Sequence, residues 1–439
     1  MRRAFVLLLL LVGMQYLYPL GTAGQGSLAL LAFGFLILAA YTVGEIATDL
    51  SLPKIVGYMA AGILFGPHVL QIVSAEAAGR LAPINDLAIA LIAFLAGAEL
   101  RWAEVRDRGV ALLKIMTVEL SLAFVLLAAA VFLMRDLLPF MASISTPEVI
   151  VGALLFAIIG IAHSPAATMA LLSETGARGP VARSTLSIVL LSDIFVVLGF
   201  TGVLTLARFI VPAEDGTAAV SLGMVAWEIG GALLIGTLLG AGVARYLRLV
   251  GREPVLFGIL IVFFGAEITA FAHVETLLTL LVAGFVVENA SSDGRGEMLR
   301  HALERASAPL FVVFFALSGA AIDLGLVGVL IVPILPLVLI RGGAIWAGVR
   351  IGSRWAHVPR EEGDRVWMGL ISQAGVAIGL AGVLGNAYPG IGGYLRTMLL
   401  ALIAINQLVG PILFRRALVA GGEVGAPARA AEPEPASAH

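Results

Sequence analysis

The sequence predicts an all-α polytopic membrane protein with 13–14 transmembrane helices, and three observations support this fold class. First, 60% of the 439 residues are hydrophobic and only 13% are charged, whereas soluble domains are about 25% charged. Second, apolar stretches long enough to cross a bilayer as helices recur from end to end. Third, these stretches do not alternate between apolar and polar residues, which argues against a β-barrel.

Fourteen apolar segments, separated by short loops, define the predicted helices. They span 4–20, 27–48, 55–73, 82–99, 110–134, 148–172, 183–210, 221–244, 254–271, 275–290, 306–322, 327–349, 366–388 and 396–414. The division between the ninth and tenth segments is the weakest, because AHVET offers only a scant turn. The chain contains no cysteine, so disulfides and thiolate metal sites are excluded.

The two ends of the chain are distinct from the membrane domain predicted over 27–418. Residues 1–26 have the basic start and apolar middle of a signal peptide, but they lack a clear A-x-A cleavage site. A retained extra helix is therefore favoured over a cleaved signal. The tail over 419–439 is rich in Ala, Pro and Glu and is predicted to be a disordered cytoplasmic segment.

The distribution of basic residues predicts the orientation of the helices. With the N-terminus in the cytoplasm, 21 of the 27 basic residues fall on inward-facing turns or termini. The outer side then holds only Arg80, Arg135, Arg208 and Arg396. Such a bias follows the positive-inside rule. It predicts a multi-pass protein of a bacterial inner membrane with a cytoplasmic C-terminus.

The sequence also contains an internal repeat. Three dipeptides recur at one constant offset of 222 residues: Glu45-Ile46 at Glu267-Ile268, Ala61-Gly62 at Ala283-Gly284, and Gly97-Ala98 at Gly319-Ala320. The second segment thus matches the ninth, seven crossings later, which makes the copies antiparallel in the membrane. We expect inverted repeats over about 27–210 and 254–418, joined by a linker helix over about 221–244. Inverted repeats are typical of transporters, with the substrate site between broken helices.

The sixth and thirteenth segments are the expected broken helices, one in each repeat. Pro165 removes a backbone donor inside the sixth segment, directly after His163 and Ser164. The thirteenth segment carries Ser372, Gln373 and Gly375 within its apolar stretch. Backbone carbonyls freed at such breaks can face a cavity and bind a cation.

Asp193 is the strongest single indication of function. It is the only ionisable residue between Arg183 and Arg208, in a run long enough to cross a bilayer. A carboxylate at that depth costs roughly 2.5 to 3.5 kcal/mol on insertion scales, and such residues mark proton or cation pathways. The sequence therefore predicts a proton or monovalent cation site at Asp193.

Arg341 places a permanent positive charge in the middle of the twelfth segment. Such a charge requires a partner, and the candidate carboxylates are Asp193, Glu119 in the fifth segment and Glu228 near the start of the eighth. If Asp193 is the partner, a bound cation competes with the arginine. If Glu119 is the partner, the pair is structural and Asp193 stays free to bind ions, and this second alternative is favoured.

Five stretches of the sequence together resemble the cation/proton antiporter superfamily, from about Leu28 to Leu418. They are LPKIVGYMAAGILFGPHVL, FLAGAEL, HSPAATMALLSETG, LLSDIFVVLGF and NQLVGPILFRRAL. The resemblance implies an elevator-type exchanger in which segments 5–7 and 12–14 slide against a dimerising panel of segments 2–4 and 9–11. It places Asp193 on the family's essential aspartate and Arg341 near its conserved basic residue.

The chain departs from the family pattern at two positions. Ser192 stands where the residue before the aspartate is usually Asn, Asp or Gln. Ile188 stands where the electroneutral branch carries a glutamate. Both departures leave the identity of the cation open.

The predicted function is secondary active exchange of one monovalent cation, sodium first, for one proton. Asp193 would bind either ion, with Ser192, Ser164 and carbonyls near His163 completing an oxygen shell. One titrating carboxylate predicts electroneutral exchange. The expected partners are the two ions, a lipid bilayer and a second copy of the chain, with no cofactor and no nucleic acid. The chain is not expected to be an enzyme, because adjacent His163 and Ser164 on one helix have poor geometry for a hydrolase.

Two other functions remain open from the sequence. One is a potassium/proton efflux antiporter or channel-like potassium pathway. The other is a non-transporting receptor or scaffold with the same fold, which Ser192 leaves possible.

Overall fold

A computed structural model provides the coordinates of the chain. It describes Arg3, Leu7 and Leu10 and then residues 25–425, apart from 143, 212–221, 251–252, 292–293, 374 and 389–390. Seventeen α-helices and one short 3-10 helix, Arg135–Leu137, form this described part, which contains no β-strand. The predicted first segment, 4–20, lies outside the described residues except for Leu7 and Leu10.

The helices are α1 (Gln25–Asp49), α2 (Lys54–Phe65), α3 (Ala75–Gly79), α4 (Ala82–Ala98), α5 (Trp102–Leu133), α6 (Pro139–Ala142), α7 (Thr146–Gly160), α8 (Pro165–Thr175), α9 (Pro180–Ile210), α10 (Leu222–Leu249), α11 (Pro254–Ala272), α12 (Thr276–Ala290), α13 (Arg295–Ala320), α14 (Leu324–Trp355), α15 (Arg360–Gly369), α16 (Gly375–Ala387) and α17 (Ile391–Ala420).

The all-α polytopic fold predicted from the sequence is confirmed. Among the described residues, seven spans are long and apolar enough to cross a membrane, and the bent helix α13 makes an eighth. Five shorter apolar helices accompany them, namely α2, α4, α11, α12 and α16. The uncertain division after the ninth segment is real, because α11 ends at Ala272 and His273 turns the chain in a left-handed conformation.

α13 differs from the predicted span 306–322, since it begins eleven residues earlier, at Arg295. The extra turns are polar, and the helix bends by 47° between its two parts, 295–304 and 306–320. Pro309 explains the bend, because it lacks an N–H and its ring clashes with the carbonyl four residues earlier. The polar part of α13 thus turns away from the apolar part.

The inverted repeats are visible in reciprocal helix contacts. α5 and α14 are each 32 residues long and begin at Trp102 and Leu324, 222 residues apart. Four glycines lie where an added Cβ would collide with a carbonyl of the facing helix, and the contacts obey the same offset. They are Gly62 on Ala316, Gly284 on Phe94, Gly97 on Leu281 and Gly319 on Met59. α2 therefore packs on α13 as α12 packs on α4, as expected for repeated units.

Helix contacts divide the described helices into two bundles. The crossing bundle comprises α5–α9 and α14–α17, with α5 packed along α14 at its centre. The panel bundle comprises α1–α4 and α10–α13, centred on the contacts of α2 with α13 and α4 with α12. The two bundles meet where α8 contacts α4 and α2 and where α17 contacts α2. In this division α10, the predicted linker helix, packs with the panel bundle through α12.

One end of the molecule, called here the arginine-rich side, is tied together by basic residues. Arg101 pairs with Glu288 and Glu297, Arg300 with Glu99, and Arg108 with Glu362. Large apolar side chains face outward between the two ends, among them Phe271 at 89% and Phe209 at 83% exposure. Such an exposed apolar surface suits a membrane environment.

Candidate functional site

Two spans of the crossing bundle are interrupted near each other. Residues 161–164 separate α7 from α8, and residues 370–374 separate α15 from α16. The first break follows from the sequence, because Pro165 has no N–H to continue the helix. Ser164 is extended and caps α8, with its Oγ accepting the N–H of Ala167 at 3.1 Å.

Arg341 joins the two breaks. Its Nε donates to the carbonyl of Gly160 at 2.7 Å, Nη2 to that of Ala162 at 2.9 Å, and Nη1 to that of Ile371 at 2.8 Å. The last carbonyls of a helix lack intrahelical partners and carry partial negative charge. The fully buried guanidinium therefore neutralises the C-terminal ends of two half-helices at their crossing.

Amide side chains complete the crossing. Gln373 Nε2 donates to the carbonyl of Gly160 at 2.8 Å, and Asn406 on α17 donates to Gln373 Oε1 at 2.8 Å. Ser372 is buried against α17, where an added Cβ on Gly410 would collide with it. The second break is thus fixed from both sides.

His163 and Glu119 form a fully buried pair beside the guanidinium. His163 Nδ1 lies 2.7 Å from the carbonyl of Leu370, so this nitrogen carries a proton and donates it. Nε2 lies 3.3 Å from Glu119 Oε2. A hydrogen bond there requires one further proton, on the imidazole or on the carboxyl. The two side chains therefore contact each other in the protein interior.

Glu119 and Arg341 occupy equivalent positions in the two repeats, 222 residues apart, on α5 and α14. They are linked through His163 rather than by a direct ion pair, since Arg341 Nη2 lies 3.5 Å from His163 Nδ1. Within the described residues, no carboxylate lies within 4.0 Å of the guanidinium, whose partners are backbone carbonyls. The buried positive charge is compensated without Asp193.

Asp193 lies on α9 and faces a small cavity between the two bundles. The cavity has a volume of ≈ 70 Å³, and the crossing bundle contributes Asp193, Ser164 and Pro165 to its wall. The panel bundle contributes Ala93 and Leu281. Asp193 Oδ1 is buried and has no hydrogen-bond partner among the described residues. A buried carboxylate oxygen left without a partner is costly, and a proton or cation relieves that cost.

A second, larger cavity opens at the arginine-rich side. Its volume is ≈ 1010 Å³, and Glu99, Arg178, Arg300 and Glu304 line it. It reaches α9 at Ser187, six residues before Asp193. Ions at this side of the molecule therefore come within two helical turns of Asp193.

A family model for the transmembrane region of sodium/hydrogen exchangers matches residues 6–420. The chain belongs to the sodium/hydrogen exchanger family. The resemblance found in the sequence motifs is confirmed, and so is the prediction that the chain is a transporter and not an enzyme. This exchanger family member is a multi-pass membrane protein whose substrates are a cation and protons.

Solved structures show the same fold. Two structures of the sodium/proton antiporter MjNhaP1 from Methanocaldococcus jannaschii are similar to this exchanger. One, determined at pH 8, is 18% identical, with a TM-score of 0.65 over 89% of this chain and 95% of the other. The second, from electron microscopy, is 17% identical, with a TM-score of 0.68 over 88% and 93%. No curated protein sequence matches the chain.

The structure of the exchanger places the predicted ion-site residues in two locations. Asp193 and Ser164 share the small cavity, together with Pro165. Ser192 is fully buried and its hydroxyl donates to the carbonyl of Val189 at 2.8 Å, within its own helix. His163 belongs to the cluster around Arg341. Of the two predicted hydroxyls, that of Ser164 lines the cavity that contains Asp193, and that of Ser192 does not.

The predicted crossing residues lie at the two breaks. Pro165 begins α8, Ser372 and Gln373 lie in the second break, and Gly375 begins α16. The predicted pair of Arg341 and Glu119 lies in one buried cluster at the same crossing. The carbonyls that bind Arg341 were not predicted, because backbone groups leave no signature in the sequence.

Two further side chains at the site were missed by the sequence analysis. Asn406 donates to Gln373 and so orients it. The sequence signal that could have identified Asn406 is an amide side chain in an otherwise apolar helix. Glu275 lines the small cavity from the panel bundle, at the scant turn before α12. In the sequence it is one glutamate at the start of a predicted helix, and this alone does not indicate a binding site. Within the described residues, no three His, Asp or Glu side chains are grouped as a metal site would require.

Proposed function

We propose that this exchanger trades one monovalent cation, with sodium the first candidate, for one proton at Asp193. The observation that carries the proposal is Oδ1 of Asp193, which is buried in a cavity between the two bundles and has no hydrogen-bond partner in the part of the chain that the structure describes. Arg341 is occupied by carbonyls, so it leaves the carboxylate free for exchangeable ions. Sodium comes first because the family and the similar solved structures are named for it.

Competition for one carboxylate couples the two fluxes. Asp193 binds either a proton or a cation, and the hydroxyl of Ser164 in the same cavity supplies a further oxygen. The empty carboxylate is negative and costly to move through the barrier, whereas either occupied form is neutral. Only occupied forms therefore cross, and each crossing of a cation is balanced by the return of a proton.

The proposed movement is a sliding of the crossing bundle against the panel bundle, in an elevator-type cycle. Asp193 lies on the crossing bundle at the boundary, so such a displacement carries it from one side to the other. The panel bundle is the proposed contact surface of a homodimer. The proposed location is the bacterial inner membrane with the arginine-rich side in the cytoplasm, which the positive-inside rule supports.

Exchange is proposed to be electroneutral, at one proton per cation. His163 and Glu119 are fully buried, and neither residue lines the two cavities described above. This supports a single exchanging carboxylate at Asp193. Rates in proteoliposomes clamped at 0 and −100 mV with a potassium ionophore should be equal. A voltage-dependent rate contradicts this stoichiometry and assigns a second proton to the His163–Glu119 pair.

The decisive experiment measures proton movement in proteoliposomes after addition of sodium, lithium or potassium. Wild type should release protons in response to a cation, and Asp193→Asn should lose the response, since an amide binds neither ion by charge. Asp86→Asn is the matched control, because it makes the same change at an exposed position of α4. A response to potassium alone assigns the potassium/proton alternative, and no response to any cation assigns the non-transporting one.

A further inference from the structure

A second carboxylate, Glu275, faces the same small cavity as Asp193. Among the described residues that line this cavity, only Asp193 and Glu275 are ionisable. Most of the remaining wall is aliphatic or aromatic, including Ile92, Leu190 and Phe314. Each carboxylate comes from a different bundle, Asp193 from α9 and Glu275 from the start of α12.

The position of Glu275 along the membrane normal differs from that of the large cavity. α12 begins at Thr276 and ends at Ala290, and its end lies at the arginine-rich side, where Asn289 binds the N–H of Trp102 at 2.7 Å. Glu275 therefore lies toward the opposite side of the molecule. The large cavity approaches Asp193 from one side, and Glu275 flanks Asp193 on the other.

Helix capping accounts for only part of this arrangement. Glu275 is the N-cap of α12, where Oε2 accepts the N–H of Leu278. A cap needs only a side-chain oxygen, which Ser, Thr, Asn or Asp supply equally well. It does not require a carboxyl group in an apolar cavity that already contains Asp193 Oδ1, a buried oxygen with no hydrogen-bond partner in the described ranges. Two carboxylates that face one low-dielectric space repel each other unless one of them binds a proton or a cation lies between them.

We propose that Glu275 and Asp193 together form a second binding position for the monovalent cation, occupied when the site opens opposite the arginine-rich side. Glu275 stays with the panel bundle, so it meets the cation only in that state. Asp193 carries the cation away from Glu275 as the crossing bundle moves. The proposal rests on the exchange proposed above at Asp193, and it makes cation affinity depend on Glu275 at one face only.

Glu275→Gln tests the charge without removing the cap, because the amide oxygen still accepts the N–H of Leu278. Cation dependence of exchange is measured in right-side-out and in everted vesicles from cells lacking other antiporters. At the face opposite the arginine-rich side, the KM for the cation should rise about tenfold. At the arginine-rich face, KM should stay within about twofold of wild type, as should the maximal rate.

Glu148→Gln is the matched control, since Glu148 also caps a helix, accepting the N–H of Ser145 at 2.8 Å, but does not line the cavity. It should leave both KM values unchanged. An unchanged KM at both faces in Glu275→Gln overturns the proposal, and so does an equal rise at both faces, which is the result expected of a purely structural role.

A third variant keeps the test valid if Glu275→Gln does not fold. If Glu275→Gln is not monodisperse, Glu275→Asp retains the charge and the cap with a shorter reach, and its KM must change at the same single face. An equal change at both faces again overturns the proposal. Failure of the exchange proposed at Asp193 gives a different result, because Asp193→Asn would then remain active while Glu275 is intact.

Discussion

Arg341 illustrates how a single charge can organise a membrane protein without an ion pair. An arginine presents five donors in a planar fork and remains charged. Here three of its donors reach carbonyls from both broken spans. Without it, the carbonyls of Ala162 and Ile371 would lose this donor in the protein interior, where each lost hydrogen bond is expensive, while Gly160 would keep that of Gln373. The residue therefore holds the crossing together without binding Asp193, the proposed ion site.

Arg341→Lys should destabilise the protein although it keeps the positive charge. A single ammonium cannot reach Gly160, Ala162 and Ile371 together, so the change should cost roughly 3 kcal/mol. Thermal unfolding of the purified protein in detergent measures the effect. Arg350→Lys on the same helix is the control, because Arg350 is partly exposed and pairs with Asp364 at 3.3 Å; surface pairs contribute about 1 kcal/mol or less. Equal unfolding temperatures in the two variants would contradict the bridging role.

Among the helices, close approach within the panel bundle depends on the four reciprocal glycines. Gly62→Ala should push α2 away from α13, because the added Cβ meets the carbonyl of Ala316. Gly284→Ala should do the same to α12 and α4 at the equivalent site. Overpacking of this kind costs about 1–3 kcal/mol. Unfolding temperatures of the two variants should fall by similar amounts.

Gly34→Ala is the matched control for these two variants. It lies in α1, and an added Cβ would meet no atom within 4 Å. Replacing a glycine inside a helix by alanine should there stabilise the protein by up to about 1 kcal/mol. A loss of stability in Gly34→Ala as large as in Gly62→Ala would show that close packing is not the cause.

The helix that carries Asp193 is capped by the segment after the last helix. Glu423 is 5% exposed and accepts the N–H groups of Val181 and Ala182, both at 2.8 Å. These are free donors in the first turn of α9, where a negative charge is favourable. Gly179 leaves room for the carboxylate, because an added Cβ would collide with it. Glu423, in the tail predicted to be disordered over 419–439, thus contributes to the fold. Residues 426–439 lie outside the described part.

Glu423→Ala should lower stability by about 2 kcal/mol, since two buried N–H groups lose their acceptor. Glu423→Gln should cost less, because its amide oxygen still accepts one of them. Unfolding temperature and proteolysis after Arg178 or Arg183 measure the loosening of the start of α9. Identical behaviour of the Ala and Gln variants would show that these hydrogen bonds do not hold the segment.

For the whole molecule, sequence patterns predicted the architecture and some residues of the candidate site. Three dipeptides at one offset revealed the repeat, Pro165 marked a break, and Asp193 marked the helix that faces the small cavity. A charged residue or a proline inside a membrane helix is costly and therefore rare, so each is easily recognised in a sequence. The partners of Arg341 were not predictable, because carbonyls carry no sequence signal. Glu275 and Glu423 were also missed, since a glutamate near a helix end is usually solvated.

The two bundles are connected at the arginine-rich side by a few polar contacts. Glu174 at the end of α8 accepts the N–H of Lys54 on α2, with both carboxylate oxygens within 3.0 Å. Arg415 on α17 donates to the carbonyl of Ser51 at 2.5 Å. Contacts of this kind are exchangeable for water, unlike the close glycine packing within the panel bundle. In the proposed cycle they break whenever Asp193 moves toward the opposite side.

Covalent linkage across this boundary should therefore stop exchange. The chain has no cysteine, so Lys54→Cys with Glu174→Cys introduces the only two thiols. A short, reducible thiol cross-linker should abolish cation-dependent proton movement in proteoliposomes, and a reductant should restore it. The control is Phe140→Cys with Tyr394→Cys, whose native rings stack at 4.9 Å within the crossing bundle. That cross-link leaves the boundary free and should preserve exchange. Undiminished exchange with the Lys54–Glu174 linkage formed would show that ions cross without relative movement of the bundles.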